Sequence, residues 1–157
     1  MKKTVSIGLM IPLQNGKWGH IDKNGRTTAH LAAQYGELDA LDFLRVYRPK
    51  MLGMANKIGI TPAHVAAANG QLDVLVYFKC VDNELLMAIT KEGWGIAHFA
   101  AHFDQHTIID YLQQSKFDCD REDHHHVSPM MVAHQNKHYH MVSKLMAHSK
   151  VSLCAIL

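Results

Sequence analysis

The chain has 157 residues, 48% of them hydrophobic in the broad sense and 19% charged, which is the size and composition of one globular domain able to bury a core without disulfides or metals. That balance excludes an intrinsically disordered chain. The 16 Lys and Arg against 14 Asp and Glu leave a net charge of +2, too small and too interspersed for a nucleic-acid footprint, while 13 His make the surface charge sensitive to pH.

From the amino end, Lys2 and Lys3 before the apolar run Val5 to Leu13 faintly resemble a secretory leader, but Pro12 interrupts the run and no small-x-small cleavage site follows. Residues 1–21, with Asn15-Gly16 as a turn signal and Trp18 as a packed residue, read instead as an N-terminal cap or half-repeat. No run of 18 or more apolar residues occurs, so no integral membrane span is expected. Cys80, Cys119 and Cys154 are odd in number and widely spaced, which fits a reducing compartment, and the expected location is the cytoplasm.

From residue 22 the chain repeats itself. The string Asp22-Lys-Asn-Gly25-Arg-Thr27-Thr-Ala-His30-Leu-Ala32-Ala33-Gln-Tyr-Gly36 returns as Asn56-Lys-Ile-Gly59-Ile-Thr61-Pro62-Ala-His64-Val-Ala66-Ala67-Ala-Asn-Gly70. A third copy runs Thr90-Lys-Glu-Gly93-Trp-Gly-Ile-Ala-His98-Phe-Ala100-Ala101, and Gly25, Gly59 and Gly93 are each 34 residues apart. A fourth, weaker copy places Ser128-Pro129 and Ala133 where the second has Thr61-Pro62 and Ala66. The divisions are residues 22–55, 56–89, 90–122 and 123–157, the last a degenerate repeat with a C-terminal cap.

Each copy specifies a helix-turn-helix. Thr61 caps a helix that Pro62 opens, Gly70 ends it in the left-handed region, and Leu72, Val74, Leu75, Tyr77 and Phe78 line a second helix at helical spacing. The connections and a projecting finger are expected over residues 44–54, 79–88 and 114–122, leading into the glycine-bearing turns. Small residues such as Ala32-Ala33, Ala66-Ala67 and Ala100-Ala101 allow close approach between copies, and stacking is obligatory because one copy cannot bury its own apolar face.

These residues resemble the ankyrin repeat, roughly D-x-x-G-x-T-P-L-H-x-A-A-x-x-G over 33 residues, across positions 22–157. The resemblance implies a single all-α ankyrin-repeat solenoid of stacked helix-turn-helix units with projecting hairpin-like loops. Departures fall late: Gly95-Ile96 replaces Thr-Pro, Asp104 replaces a glycine, and His126, Met131 and Lys137 replace Gly, His and Gly.

The family binds other proteins on the concave surface made by finger tips and inner helices, so the resemblance implies a non-catalytic interaction module with a protein partner. Carried over position by position, the finger residues are Arg26, Lys57, Ile58, Ile60, Lys91, Glu92 and Trp94, and the helix residues are Tyr35, His102 and Phe103. The competing reading packs Trp94 against its own finger and Phe103 against the next repeat. His30, His64 and His98 recur with the repeat, and the resemblance implies that they hold the turn before the helix.

Other chemistries fit less well. His124, His125, His126, His134 and His138 have the residue type of metal ligands, but adjacent histidines point apart and only His134 and His138 share helical i, i+4 spacing, so the reading is a solvated, pH-sensitive finger. No nucleophile, base and orienting group converge in the sequence, and no phosphate loop follows Gly93-Trp94-Gly95, so neither catalysis nor a cofactor is expected. Cys154-Ala155-Ile156-Leu157 matches a prenylation signal, and the alternative functions are a membrane-tethered adaptor attached peripherally through Cys154 and, behind it, a His-rich metal-responsive protein. Ankyrin arrays occur in eukaryotic proteins and in bacterial effectors delivered into host cytoplasm, and the sequence does not choose between them.

Overall fold

The computed structural model describes residues 21–149, and the expectations for Trp18, for residues 1–20 as a cap and for Cys154 lie outside them. Among the described residues the chain is all-helical: α1 (Thr28–Tyr35), α2 (Leu38–Tyr47), α3 (Pro62–Ala68), α4 (Leu72–Val81), α5 (Ile96–His102), α6 (His106–Gln114), α7 (Pro129–Gln135) and α8 (Tyr139–His148). No strand occurs there, only an isolated antiparallel bridge between Ile21 and Thr27.

Helices α1, α3, α5 and α7 pack side by side in sequence order, each also against the helix that follows it, and α2, α4, α6 and α8 form a second row. Composition explains the two rows. Ala32, Ala33, Ala66, Ala67, Ala100 and Ala101 are all fully buried in the first row, where only a methyl group fits between close backbones. The second row supplies the bulk through Leu41, Leu44, Leu75, Phe78, Ile109 and Leu112, each fully buried and each contributing roughly 1.5–3 kcal/mol of burial. None of the helices exceeds 10 residues, too short to persist alone, so tertiary packing holds them. None is long and apolar enough to cross a membrane.

Starts and stops repeat with the helices. Thr27 and Thr61 stand in extended backbone as N-caps, and Pro62 and Pro129 open their helices where a missing N–H is harmless. Each first-row helix ends in one bond, from the N–H of Glu37, Gln71, Gln105 or His138 to the carbonyl of Ala32, Ala66, Ala100 or Ala133, at 2.8–2.9 Å. The residue before that N–H must have positive φ. Gly36 (+75°) and Gly70 (+69°) adopt it freely, whereas Asp104 (+57°) and Lys137 (+65°) hold it with a Cβ, as His126 (+60°) does in the last turn. The late departures of the sequence therefore keep the backbone of the earlier units at a local cost.

The second-row helices run further than the sequence suggests, α2 to Tyr47 and α4 to Val81, before the residues assigned to connection take over. In the first case Pro49 sets the limit, because the residue before a proline is disfavoured in helical conformation. Short 3-10 turns follow, Pro49–Gly53 and Asn83–Leu86, burying Leu52 and Leu86.

Replacing Lys137 by glycine should remove the strain and raise unfolding stability by about 0.5–1 kcal/mol in urea titration. Gly95→Thr should stabilise by a similar ~0.5–1 kcal/mol, since an added Cβ meets nothing within 4 Å and the hydroxyl restores the cap of the first two units. Gly36→Ala should do the opposite, as its Cβ would lie 2.6 Å from the Gln71 amide oxygen at φ +75°.

Candidate functional site

The turn that precedes each first-row helix is built the same way four times. Asp22, Asn56 and Asp123 each accept the N–H groups two and four residues on, at 2.8–3.0 Å, and Thr90 accepts from Trp94 N–H at 3.1 Å. A glycine with φ between +82° and +90° completes the first three. Successive turns are tied tip to tip: Lys57 N–H donates to Asn24 O, Lys91 N–H to Ile58 O and His124 N–H to Glu92 O, at 3.0–3.3 Å.

Three buried histidines connect turn, helix and neighbour. His30 Nδ1 accepts the Thr27 N–H at 3.1 Å, and its Nε2 donates to Ile60 O of the next unit at 2.9 Å. His98 does the same with Gly95 N–H (3.2 Å) and Val127 O (3.0 Å), whereas His64 joins Thr61 N–H (3.0 Å) to Ala88 O (3.1 Å), in the connection that ends its own unit. A ring facing a donor on one side and a carbonyl on the other must be the neutral Nε2–H tautomer. Burial accordingly lowers the pKa of all three, that of His64 to about 4, against favourable backbone contacts that raise it.

A second series follows a glutamine that recurs at the repeat spacing. Gln71 and Gln105, 34 residues apart, donate their side-chain amides to Gln34 O and Ala68 O of the preceding unit, both at 3.0 Å. His138 takes the same part with Nε2 to His102 O at 3.0 Å. This accounts for His138 as a cross-unit clamp. The other histidines considered as ligands do not converge on it: His125 pairs with Glu92 and His126 with Glu122, each at 3.1 Å, and His134 lies against the Tyr139 ring. Among the described residues no group of three or more His, Cys, Asp or Glu side chains is placed to hold a metal ion.

The sequence-predicted interaction residues are distributed unevenly. Ile58 (60% exposed), Tyr35 (61%) and Phe103 (50%) present large apolar groups to solvent, and Lys57, Lys91 and Glu92 are exposed around them. Ile60 and Trp94 are half-buried. The indole N–H of Trp94 donates to Asp123 Oδ2 at 2.9 Å, and its ring packs with His98, Phe99 and His102 at centroid distances of 5.5–5.7 Å. His102 meets Phe103 edge-on at 4.7 Å and lies 3.2 Å from the Asn136 amide, so the third unit gathers one continuous aromatic patch. Tyr35 stands two units away, with Asn69 at the equivalent position between them.

Charge on these turns is largely internally committed. Arg26 binds Asp22 at 2.8 Å, and that bond, with backbone donors, holds the Asp22 carboxyl at about 2. Burial raises the pKa of Asp123, but bonds from Val127, His125 and Trp94 more than offset this and keep it below the usual carboxylate value. Elsewhere, Cys119 is half-buried, and burial with Asp120 and Asp118 beside it pushes its thiol up to about 12, so it carries no reactive thiolate at neutral pH. Cys80 is exposed.

No protein-family model matches the chain, and none of the curated proteins compared with it is similar.

The histidine bridges predict acid sensitivity with a definite sign. Between pH 6.5 and about 4 the unfolded chain binds a proton at residue 64 that the folded chain does not, so stability falls as pH drops across this window, by about 3 kcal/mol for this residue alone. Urea unfolding at pH 7 and pH 4.5 should show that loss, and His64→Asn, though less stable at pH 7, should show a flatter dependence.

Proposed function

We propose that the chain is an ankyrin-type repeat array that binds another protein without catalysis, using the surface formed by the four turns and the first-row helices. In that family this surface is concave. The observation that carries the reading is a division of character. Helices α1, α3, α5 and α7 contain no Asp, Glu, Lys or Arg, while Ile58, Phe103 and Tyr35 stay exposed beside them. Exposed aromatic and aliphatic groups next to a half-buried indole are the composition of a binding hot spot.

Charge narrows the partner. The acidic groups of the turns are already engaged, Asp22 by Arg26, Glu92 by His125, Glu122 by His126 and Asp123 by N–H donors. Lys23, Lys57 and Lys91 occupy one position in successive turns, are exposed, and have no ion-pair partner among the described residues. A partner surface with an apolar centre and carboxylates around it complements this arrangement. Standard interfaces bury roughly 800 Å² per side, a span several turns can cover. The unpaired Cys80 and Cys119 suit a reducing compartment as the place of the encounter.

Affinity capture from cell lysate should recover a protein with the wild-type chain. Ile58→Ala with Phe103→Ala, and separately Lys57→Glu with Lys91→Glu, should each weaken its retention about tenfold or more while circular dichroism stays unchanged. Equal retention by all three forms would overturn the assignment of the face.

A further inference from the structure

The connection after α6 breaks the pattern of the two before it. After α2 and α4 the chain folds into 3-10 turns that bury Leu52 and Leu86. After α6 no such turn forms: Lys116 takes φ +56° and Asp118 accepts the Asp120 N–H at 3.0 Å. Gly95 stands where the first two units carry Thr27 and Thr61, and nothing lies within 4 Å of a Cβ built on it. A cleft of about 570 Å³ lies between the connections that follow α4 and α6, with Gly95 in its lining. That volume falls in the ~300–1,000 Å³ range of small-molecule sites.

The cleft has an apolar floor and a cationic edge. Leu86, Ile96, Ala97 and Leu112 form the floor, each 4% exposed or less, and Met87 and Phe117 extend it outward. The buried His98 also lines it, but both of its ring nitrogens are occupied by Gly95 N–H and Val127 O, so it offers a ligand no polar contact. Lys79, Lys116 and Arg121 stand around the cleft with a single carboxylate, Asp118. Lys79 sits over the Tyr111 ring at 5.7 Å, and neither Lys116 nor Arg121 has an ion-pair partner among the described residues.

We propose that this cleft binds a small amphipathic carboxylate of the fatty-acid class, with the acyl chain on Leu86, Ile96, Leu112 and Phe117 and the headgroup between Lys116 and Arg121. A floor without a free polar group selects a hydrocarbon chain, and two unpaired cations at its edge select an anion. The cleft is lined by the connections that follow α4 and α6 and by the starts of α5 and α7, and none of Lys57, Ile58, Lys91 or Phe103 lines it.

Isothermal titration of the full chain with dodecanoate, kept below its micellar range, tests the assignment. The expected result is saturable binding at one site, strengthening about fourfold per methylene from octanoate to dodecanoate. Lys116→Glu with Arg121→Glu should weaken it about tenfold or more, and Ala88→Phe, which places a ring in the cleft, should abolish it. Dodecyltrimethylammonium should not bind. Lys57→Glu with Lys91→Glu, on the protein-binding face, should leave dodecanoate affinity unchanged, so the two readings fail separately. No saturable binding to the folded wild type, or affinity that survives both cleft variants, would overturn the proposal.

Discussion

A neutral imidazole that ties each helix start to the connection or turn after it is the interaction on which the rest of this structure depends. His30, His64 and His98 each satisfy a helix-start N–H with one nitrogen and a carbonyl of the following connection or turn with the other. No other side chain offers a donor and an acceptor on opposite edges of a flat ring of this size. The same bonds fix the orientation of each turn relative to its helix and relative to the next unit. Stacking then buries the alanines of the first row, and the second row supplies the hydrocarbon that a single pair of helices could not bury alone.

A structure tied this way has its interior committed and its surfaces free to vary. Gln71, Gln105 and His138 close the other edge of the stack, where the first-row helices end, so each unit is held to its predecessor at two places. Rigidity of this kind lets exposed groups such as Ile58 and Phe103 keep fixed positions without a core role. The same commitment explains why histidines with three different environments coexist: buried bridges that must remain neutral, the half-buried clamp at His138, and exposed His124, His125 and His126 on the last turn.

The third and fourth units show how far the pattern can be altered before geometry fails. Asp104, His126 and Lys137 replace glycine yet keep positive φ, because the helix-end and turn bonds around them over-determine the backbone. Trp94 replaces a smaller side chain and finds Asp123, the capping carboxylate of the next turn, so one residue serves its own turn and its neighbour. The connection after α6 takes a different path from the two before it, with Lys116 at positive φ and no 3-10 turn, and the cleft lies beside it.

The sequence by itself determined the 34-residue period, the caps at Thr27 and Thr61, the glycine stops and the recurrent histidines. These are legible because they are local: propensity, capping and φ sterics act within a few residues, and repetition makes the signal cumulative. Only the tertiary structure decided which carbonyl each histidine meets, that Gln71 reaches back 37 residues to Gln34, that Trp94 is held by Asp123, and that Phe103 and Ile58 stay exposed while Ile60 does not. The cleft was likewise invisible, since the residues that line it, spread from Lys79 to Pro129, come together only through packing. Such features depend on the register between units, which local sequence constrains but only the mutual burial of whole helices sets.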